Sequence, residues 1–189
     1  MRLIYAMSDT RPASIPPLLN AVNFRTLRAS DLPSLEWEGE YMHYRNLYKD
    51  AYRRACNGDA ILWVAEIPMQ GLIGQAFIQL VCPRPELADG WQNAYLYGFR
   101  IKPAYRNKGI GSRMLEVIQN DLAQRRFQRL TLNVARANPD AIRLYQRLGF
   151  SITADEEGHW SYIDHRGKWR SVHEPSYRME KELQKPGFQ

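Results

Sequence analysis

The sequence predicts an α/β (α+β) fold, with a mixed central sheet of about six to seven strands flanked by about four helices. Three observations carry this. Residues 91–134 read as strand, glycine-containing turn, helix and strand, a βαβ unit whose two strands must be parallel and joined right-handedly. Residues 60–81 read as two strands joined by the short Pro68-to-Gly71 connection, hence an antiparallel hairpin. Asn138-Pro139 opens a further helix that Gly149 closes, with a new strand starting at Phe150.

In chain order, residues 1–21 contain Pro12, Pro16 and Pro17 without sustained periodicity, and read as an irregular arm with a short strand at Leu3 to Ala6. Residues 22–189 are expected to form a single domain. Phe24 to Leu27 is its first strand, and Ser30-Asp31 caps a helix starting near Leu32-Pro33. From Leu35 to Cys56 helical periodicity continues through Tyr41, Tyr44, Tyr48 and Tyr52, with a break expected near Gly39. Asn57-Gly58-Asp59 is a turn, and Gly74 marks a bulge in the second strand of the hairpin that follows.

Residues 83–90 form a loop, and the β-preferring run to Ile101 leads into Ile101-Lys102-Pro103-Ala104-Tyr105-Arg106-Asn107-Lys108-Gly109-Ile110-Gly111. Beyond it Ile110, Met114, Val117 and Ile118 recur at helical spacing through to 126. A strand, a glycine turn and a helix N-terminus in that order make an anion site, because glycines admit a ligand to the backbone and unpaired N–H groups point at it. Arg106 and Lys108 add positive charge there. The stretch is not a P-loop, lacking Gly-Lys-Ser/Thr, nor a dinucleotide fingerprint, whose third glycine would fall at Met114.

Leu130 to Val134 is a buried strand, and Asn138 is an N-cap with Pro139 at the first helical position. Ala141, Leu144, Tyr145 and Leu148 form the stripe of that helix. The tail adds an aromatic β-hairpin at about 155–175, with Trp160, Tyr162, Ile163, Trp169 and Val172 around a turn near Arg166-Gly167, and a closing strand from Tyr177 to Leu183.

Two of these stretches resemble the signatures of GNAT-family N-acetyltransferases. Arg106, Gly109 and Gly111, led by Ile101 and Pro103, match the family's pyrophosphate loop. Leu132, Val134, Asn138, Leu144, Tyr145, Gly149 and Phe150 match its second motif, in the family's order and separation. The resemblance covers roughly residues 22–183 and is specific over 96–150. It implies the acyl-CoA N-acyltransferase fold, acetyl-CoA as cofactor and a primary amine as acceptor, attacking directly in a ternary complex.

The same resemblance implies the site. Arg106, Asn107, Lys108, Gly109, Ile110, Gly111 and Ser112 would hold the pyrophosphate. Phe99, Arg100, Ile101, Asn133 and Asn138 would hold the pantetheine arm, with main-chain groups near Phe99 to Ile101 polarising the carbonyl. Tyr145 matches the helix tyrosine that lies near the sulfur, the usual general acid. Tyr41, Tyr97 and Glu174 are the expected acceptor contacts, beside Glu36, Glu38 and Glu40 of the helical region that borders the acceptor pocket. No carboxylate stands at Tyr95 to Phe99, where many members of the family carry their base. Tyr97 through water, Glu66 and Glu174 remain open for that role. The departure equally suits an acyl-CoA-binding or sensing module with little catalysis, which would bind cofactor but show no acceptor turnover.

Composition excludes several classes. At 189 residues, 44% apolar and 24% charged, the chain has the make-up of a globular protein. No apolar run approaches the roughly 18–20 residues of a membrane span. Leu3 to Met7 is shorter than a signal-peptide core of about 7–15 residues. Cys56 and Cys82, far apart, give no metal or disulfide pattern, and with them we expect a reducing, cytoplasmic setting. His43, His159, His165 and His173 show no zinc spacing, so no metal is expected. The net charge of +6 is spread among acidic residues, and its densest cluster, Arg125, Arg126 and Arg129, sits at a helix C-terminus where cations are favoured. A nucleic-acid-binding domain would show salt-dependent binding that coenzyme A does not displace; no motif supports it. An exposed aromatic hairpin would suit a homodimer contact.

Overall fold

The computed structural model describes residues 17–184. The strand expected at Leu3 to Ala6 lies outside them. Seven strands form one sheet: β1 (Asn23–Thr26), β2 (Ala60–Ile67), β3 (Gly71–Gln79), β4 (Asn93–Ile101), β5 (Arg129–Ala135), β6 (Ser151–Glu156) and β9 (Ser176–Glu182), in the order β1-β2-β3-β4-β5-β9-β6. Only β4 and β5 are parallel; every other pairing is antiparallel. The aromatic hairpin, β7 (His159–Ile163) and β8 (Trp169–His173), forms its own two-stranded sheet. Four α-helices accompany them: a single turn α1 (Pro17–Asn20), α2 (Arg45–Cys56), α3 (Ile110–Gln124) and α4 (Pro139–Arg147).

Two apolar layers cover the sheet. On one face Ile110, Met114, Leu115, Ile118 and Leu122 of α3 are fully buried against Ala76, Ile78, Leu96, Leu130 and Leu132. Truncating any one of these leucines to alanine costs about 2–5 kcal/mol. On the other face Tyr48 and Ala51 of α2 pack with Leu62, Val64, Leu72 and Phe77. β2 and β3 are buried on both sides, which is why they read as nearly continuous apolar runs.

Local signals settle the element ends. The Asn138 side-chain oxygen accepts from the Ala141 N–H at 3.1 Å, with Pro139 at the first helical position. The predicted bulge at Gly74 is present: Ala65 pairs with Gly74 and Glu66 with Leu72, leaving Ile73 extra.

The region after Ser30 differs from expectation. It is a 3-10 helix over Ala29–Glu36, then a turn with Trp37, Glu38 and Gly39 all at positive φ, then a short 3-10 helix at Met42–Tyr44. Pro33 inside the segment removes a donor and prevents a continuous α-helix there. The break near Gly39 is therefore a full chain reversal, closed by the Tyr41 N–H donating to the Glu36 carbonyl at 2.9 Å.

Candidate active site

The site is built where two neighbouring strands part. β4 and β5 pair only over Asn93–Leu96 and Arg129–Leu132. Beyond that each strand is held by its outer neighbour: Arg100 and Ile101 by Gln75 and Gly74 of β3, Ala135 by Ser176 of β9. The pair opens like a fork, leaving strand edges without a ladder partner. A bulge sharpens the opening, since Tyr97 pairs with Phe77 and Arg100 with Gln75, putting Gly98 and Phe99 opposite Ala76. Gly98 has φ of 60°, and a Cβ there would stand 3.2 Å from the Phe77 ring, so this corner needs glycine.

The bulge also changes which face each side chain meets. Ala94 and Leu96 face α3, while Tyr97 joins Phe77 on the α2 face. Strict alternation would send Phe99 to the α2 face and Arg100 to α3. The extra residue reverses this, so that Phe99 packs under α3 and α4 and Arg100 enters the α2 side.

On the α3 side lies the anion loop. Asn107 (φ 59°) and Gly109 (φ 79°) adopt left-handed backbone and curl the chain into a concave run of main-chain groups. The first bond of α3 runs from the Arg113 N–H to the Gly109 carbonyl at 3.0 Å, so the N–H groups of Ile110, Gly111 and Ser112 have no intrahelical acceptor. Arg106 braces the loop, its Nε donating to the Ile101 carbonyl at 2.9 Å. A Cβ on Gly111 would lie 3.3 Å from the Phe99 ring, so glycine lets α3 sit close on β4. Tyr145 stands beside the fork, its ring centre 6.4 Å from Phe99 and 5.7 Å from Phe150. Burial pushes its phenol far above the ordinary range, and it has no hydrogen-bond partner among the described residues.

On the α2 side a cleft of about 1000 Å³ runs between α2, the floor of β3 and β4, and the β7–β8 hairpin. Tyr97, Arg100, Asn133, Trp160 and Glu174 are among the residues that line it. Burial raises Tyr95 and Tyr97 to about 12, so both stay neutral. Among the described residues, two buried atoms at the fork have no hydrogen-bond partner: Gln75 Oε1 and Asn133 Oδ1.

The carboxylates of the cleft are mostly committed. Glu156 binds Arg84 at 2.8 Å and also Arg178, and both hold it below the usual carboxylate range. Asp50 holds Arg54 at 3.2 Å, and Asp155 holds Arg136 at 2.6 Å. Glu157 has only His159, at 3.8 Å. Among the described residues Glu174 has no arginine or lysine within salt-bridge distance.

The hairpin that carries Glu174 is fastened at two places. The Asn46 side chain of α2 donates to the Asp164 carbonyl at 2.7 Å. At its base Gly158 lies so close to Glu174 that a Cβ would meet the Glu174 carbonyl oxygen at 1.7 Å.

A family model described as the acetyltransferase (GNAT) family matches residues 26–150. The chain belongs to that family. Among curated relatives, the ribosomal protein bS18 alanine N-acetyltransferase of Escherichia coli strain K12 is 32% identical over 39% of this chain and 49% of its own length. The spermine/spermidine N(1)-acetyltransferase of Bacillus subtilis strain 168 is 37% identical over 38% of this chain and 49% of its own. In both cases the matched region spans about half of the relative. A crystal structure of the Escherichia coli ribosomal-protein-S18-alanine N-acetyltransferase superposes with a TM-score of 0.65 at 19% identity, covering 88% of this chain and 96% of that one. The fold is thus the GNAT fold. Among the described residues, no helix is long and apolar enough to cross a membrane, and no group of histidine, cysteine and carboxylate side chains could hold a metal ion.

Seen in this GNAT frame, the residues singled out from the sequence divide between the two sides of the fork. Arg106 to Ser112, Phe99, Ile101 and Tyr145 gather on the α3 side, with Asn138 capping α4. Tyr97, Asn133 and Glu174 line the cleft, and so does Arg100, whose main chain was expected to serve the cofactor arm. Tyr41 does not line the cleft. Its ring lies 4.3 Å from the Arg100 guanidinium, one layer behind. Glu36 and Glu38 are held by Arg45 and Lys102 at 2.6 and 3.0 Å, away from the cleft. Glu66 binds Arg25 at 2.8 Å on the β1 side of the sheet, which removes it as a base for the cleft. Gly98 and Gln75 were missed. A glycine inside an aromatic strand is a bulge signal that points to Gly98; a single glutamine between apolar neighbours carries no comparable signal.

Proposed function

We propose that this chain is an acetyl-CoA-dependent N-acetyltransferase that acetylates a primary amine by direct attack within a ternary complex. One observation supports this above the others. The opening between β4 and β5 joins a helix N-terminus with free N–H groups on one side to an aromatic and acidic cleft on the other. A phosphate-bearing donor and an amine acceptor can then meet at one point from opposite faces.

The donor-side residues fit such a cofactor. The N–H groups of Ile110, Gly111 and Ser112 and the Lys108 ammonium suit a pyrophosphate. The unladdered edges near Phe99 to Ile101, with the unpartnered Asn133 oxygen, suit the amides of a pantetheine arm. Asn138 uses its oxygen as a cap and keeps its NH₂ for the same arm. Acetyl-CoA, when bound, supplies the activated acyl carbon as a thioester.

The remaining steps belong to the chain. An alkyl amine with a pKa of about 10 arrives protonated at pH 7, so a base must take its proton. Glu174 is the cleft carboxylate best suited, having among the described residues no arginine, lysine or histidine within salt-bridge distance, whereas Glu157 has His159. With the thioester bound, transfer of the acetyl group from sulfur to nitrogen would release the nitrogen's second proton to solvent and leave the departing thiolate in need of one. We assign that donation to Tyr145, which burial keeps protonated.

The test is calorimetric titration with acetyl-CoA of the wild type and of Gly109→Trp, followed by thiol-release assays on an amine panel. Micromolar binding lost in the variant, with turnover of some amine, is expected. No binding to the wild type would refute the proposal. Binding with no turnover on any amine would leave an acyl-CoA-binding module.

A further inference from the structure

Arg100 stands out in the cleft. Its guanidinium lies 4.3 Å from the centre of the Tyr41 ring and 5.1 Å from that of Tyr44, and it donates to the Tyr48 hydroxyl at 3.1 Å. All three partners are neutral. Among the described residues no carboxylate approaches it within salt-bridge distance, whereas Arg54 and Arg84 in the same cleft each hold one. Aromatic rings stabilise a cation without neutralising it. Arg100 therefore offers a fixed, planar, charged fork of the kind that binds carboxylates in two-point fashion. It is there because the Gly98 bulge reverses strand alternation; an unbulged β4 would have turned it toward α3.

Glu174 complements it from the hairpin. Both charges act on one group, the Tyr44 phenol: burial raises it most, Arg100 pulls it down and Glu174 pushes it up. The two charges line the same cleft as Tyr44 and are of opposite sign. The Tyr97 and Trp160 rings line the space beside them.

We propose that the acetyl acceptor is a free amino acid, held with its carboxylate on Arg100, its amine on the Glu174 side and an aromatic or apolar side chain against the tyrosine and tryptophan walls. This rests on the acetyltransferase reading above. A polyamine lacks any group for Arg100 and would bring like charge to it. An internal peptide amine would leave the guanidinium unmatched.

The experiment is thiol release with acetyl-CoA and the common amino acids, each beside its amide, with spermidine and a short peptide as further acceptors. For the best amino acid, kcat/KM should exceed that of its amide by about tenfold or more, the discrimination one charge-assisted pair confers. In Arg100→Gln that ratio should fall to about one, with acetyl-CoA calorimetry reporting that the variant is folded. Arg100→Lys, which keeps charge but not the fork, should fall between. An amide used as well as its acid by the wild type overturns the inference, whatever the variants do. So does the absence of turnover for every amino acid. If the wild type fails to bind acetyl-CoA, the acetyltransferase reading itself has failed; binding with transfer only to spermidine or the peptide refutes this inference alone.

Discussion

The side chain of Asn46 donates to the main-chain carbonyl of Asp164 across 2.7 Å, tying the first turn of α2 to the tip of a hairpin 118 residues further on. That bond seats the hairpin over the cleft. Asp164 is itself buried, with 1% of its surface exposed, and accepts from the Arg166 and Lys168 N–H groups and from Arg170 Nε. The hairpin leaves Trp160, Ile163 and Trp169 exposed in part, and the Asn46 bond acts beside the contacts of Trp160 and Tyr162 with the Tyr44 ring, at 6.3 and 5.1 Å between centres.

Asn46→Ala should therefore cost about 1 kcal/mol of stability, the usual worth of one such bond. Acceptor KM should rise while the acetyl-CoA dissociation constant stays put. Steady-state kinetics beside calorimetry separates the two, and a change in cofactor affinity alone would contradict the assignment of the hairpin to the acceptor side.

Acidification should release the hairpin turn late. Asp164 is held down to about 2 by the Lys168 N–H and Arg170, below an unfolded value of about 3.9. A depressed carboxylate contributes its stabilisation fully above the unfolded value and loses it as pH falls through the folded one. Exchange protection of the Arg166 and Lys168 amides should hold down to pH about 4 and be lost between there and about 2. In Asp164→Asn it should be weak at every pH.

Tyr145→Phe removes a hydroxyl without touching the ring contacts to Phe99 and Phe150. We expect kcat to fall by about 10²-fold, the lower range for a lost general acid, with acetyl-CoA affinity unchanged. Because burial raises the phenol far above its ordinary value, the wild-type rate should show no decline from its ionisation up to pH about 10. A stability loss with unchanged kcat would make Tyr145 a packing residue only.

Glu174→Gln should lower kcat/KM at pH 7 by about 10²-fold for an alkyl amine and recover as pH approaches the amine's own pKa of about 10. Equal loss at all pH values would point to positioning rather than proton removal.

Gly158→Ala should be the most disruptive single methyl near the site. Its Cβ would meet the Glu174 carbonyl oxygen at 1.7 Å, on a backbone with φ of 73°. The hairpin base must move, at a cost of about 2 kcal/mol or more, and acceptor KM should rise further than in Asn46→Ala. Thermal melts and kinetics on the same preparations test this.

Much of the molecule was legible in the chain because it is written in short-range signals. The anion loop needs only Gly109 and Gly111 at the junction of a β-rich run and an amphipathic helix. Asn138-Pro139 and Gly149 bracket α4 through capping chemistry confined to a few residues. The Arg166-Gly167 turn and its aromatic flanks announce the hairpin in the same way. Each of these is decided by backbone preference and hydrogen bonding within a turn or two, so the sequence by itself determined them. Contacts between distant segments are another matter. Glu66 looked available until Arg25, 41 residues away, was found holding it. The face taken by the Arg100 side chain was not legible, because one extra residue at Gly98 reverses the alternation of β4 and sets its guanidinium beside Tyr41 and Tyr44. Where β4 and β5 part, which carboxylates are neutralised and where the hairpin rests depend on competition among partners far apart in the chain. Only the tertiary structure decides those, because the energy of a charge or a strand edge is set by what the fold brings next to it.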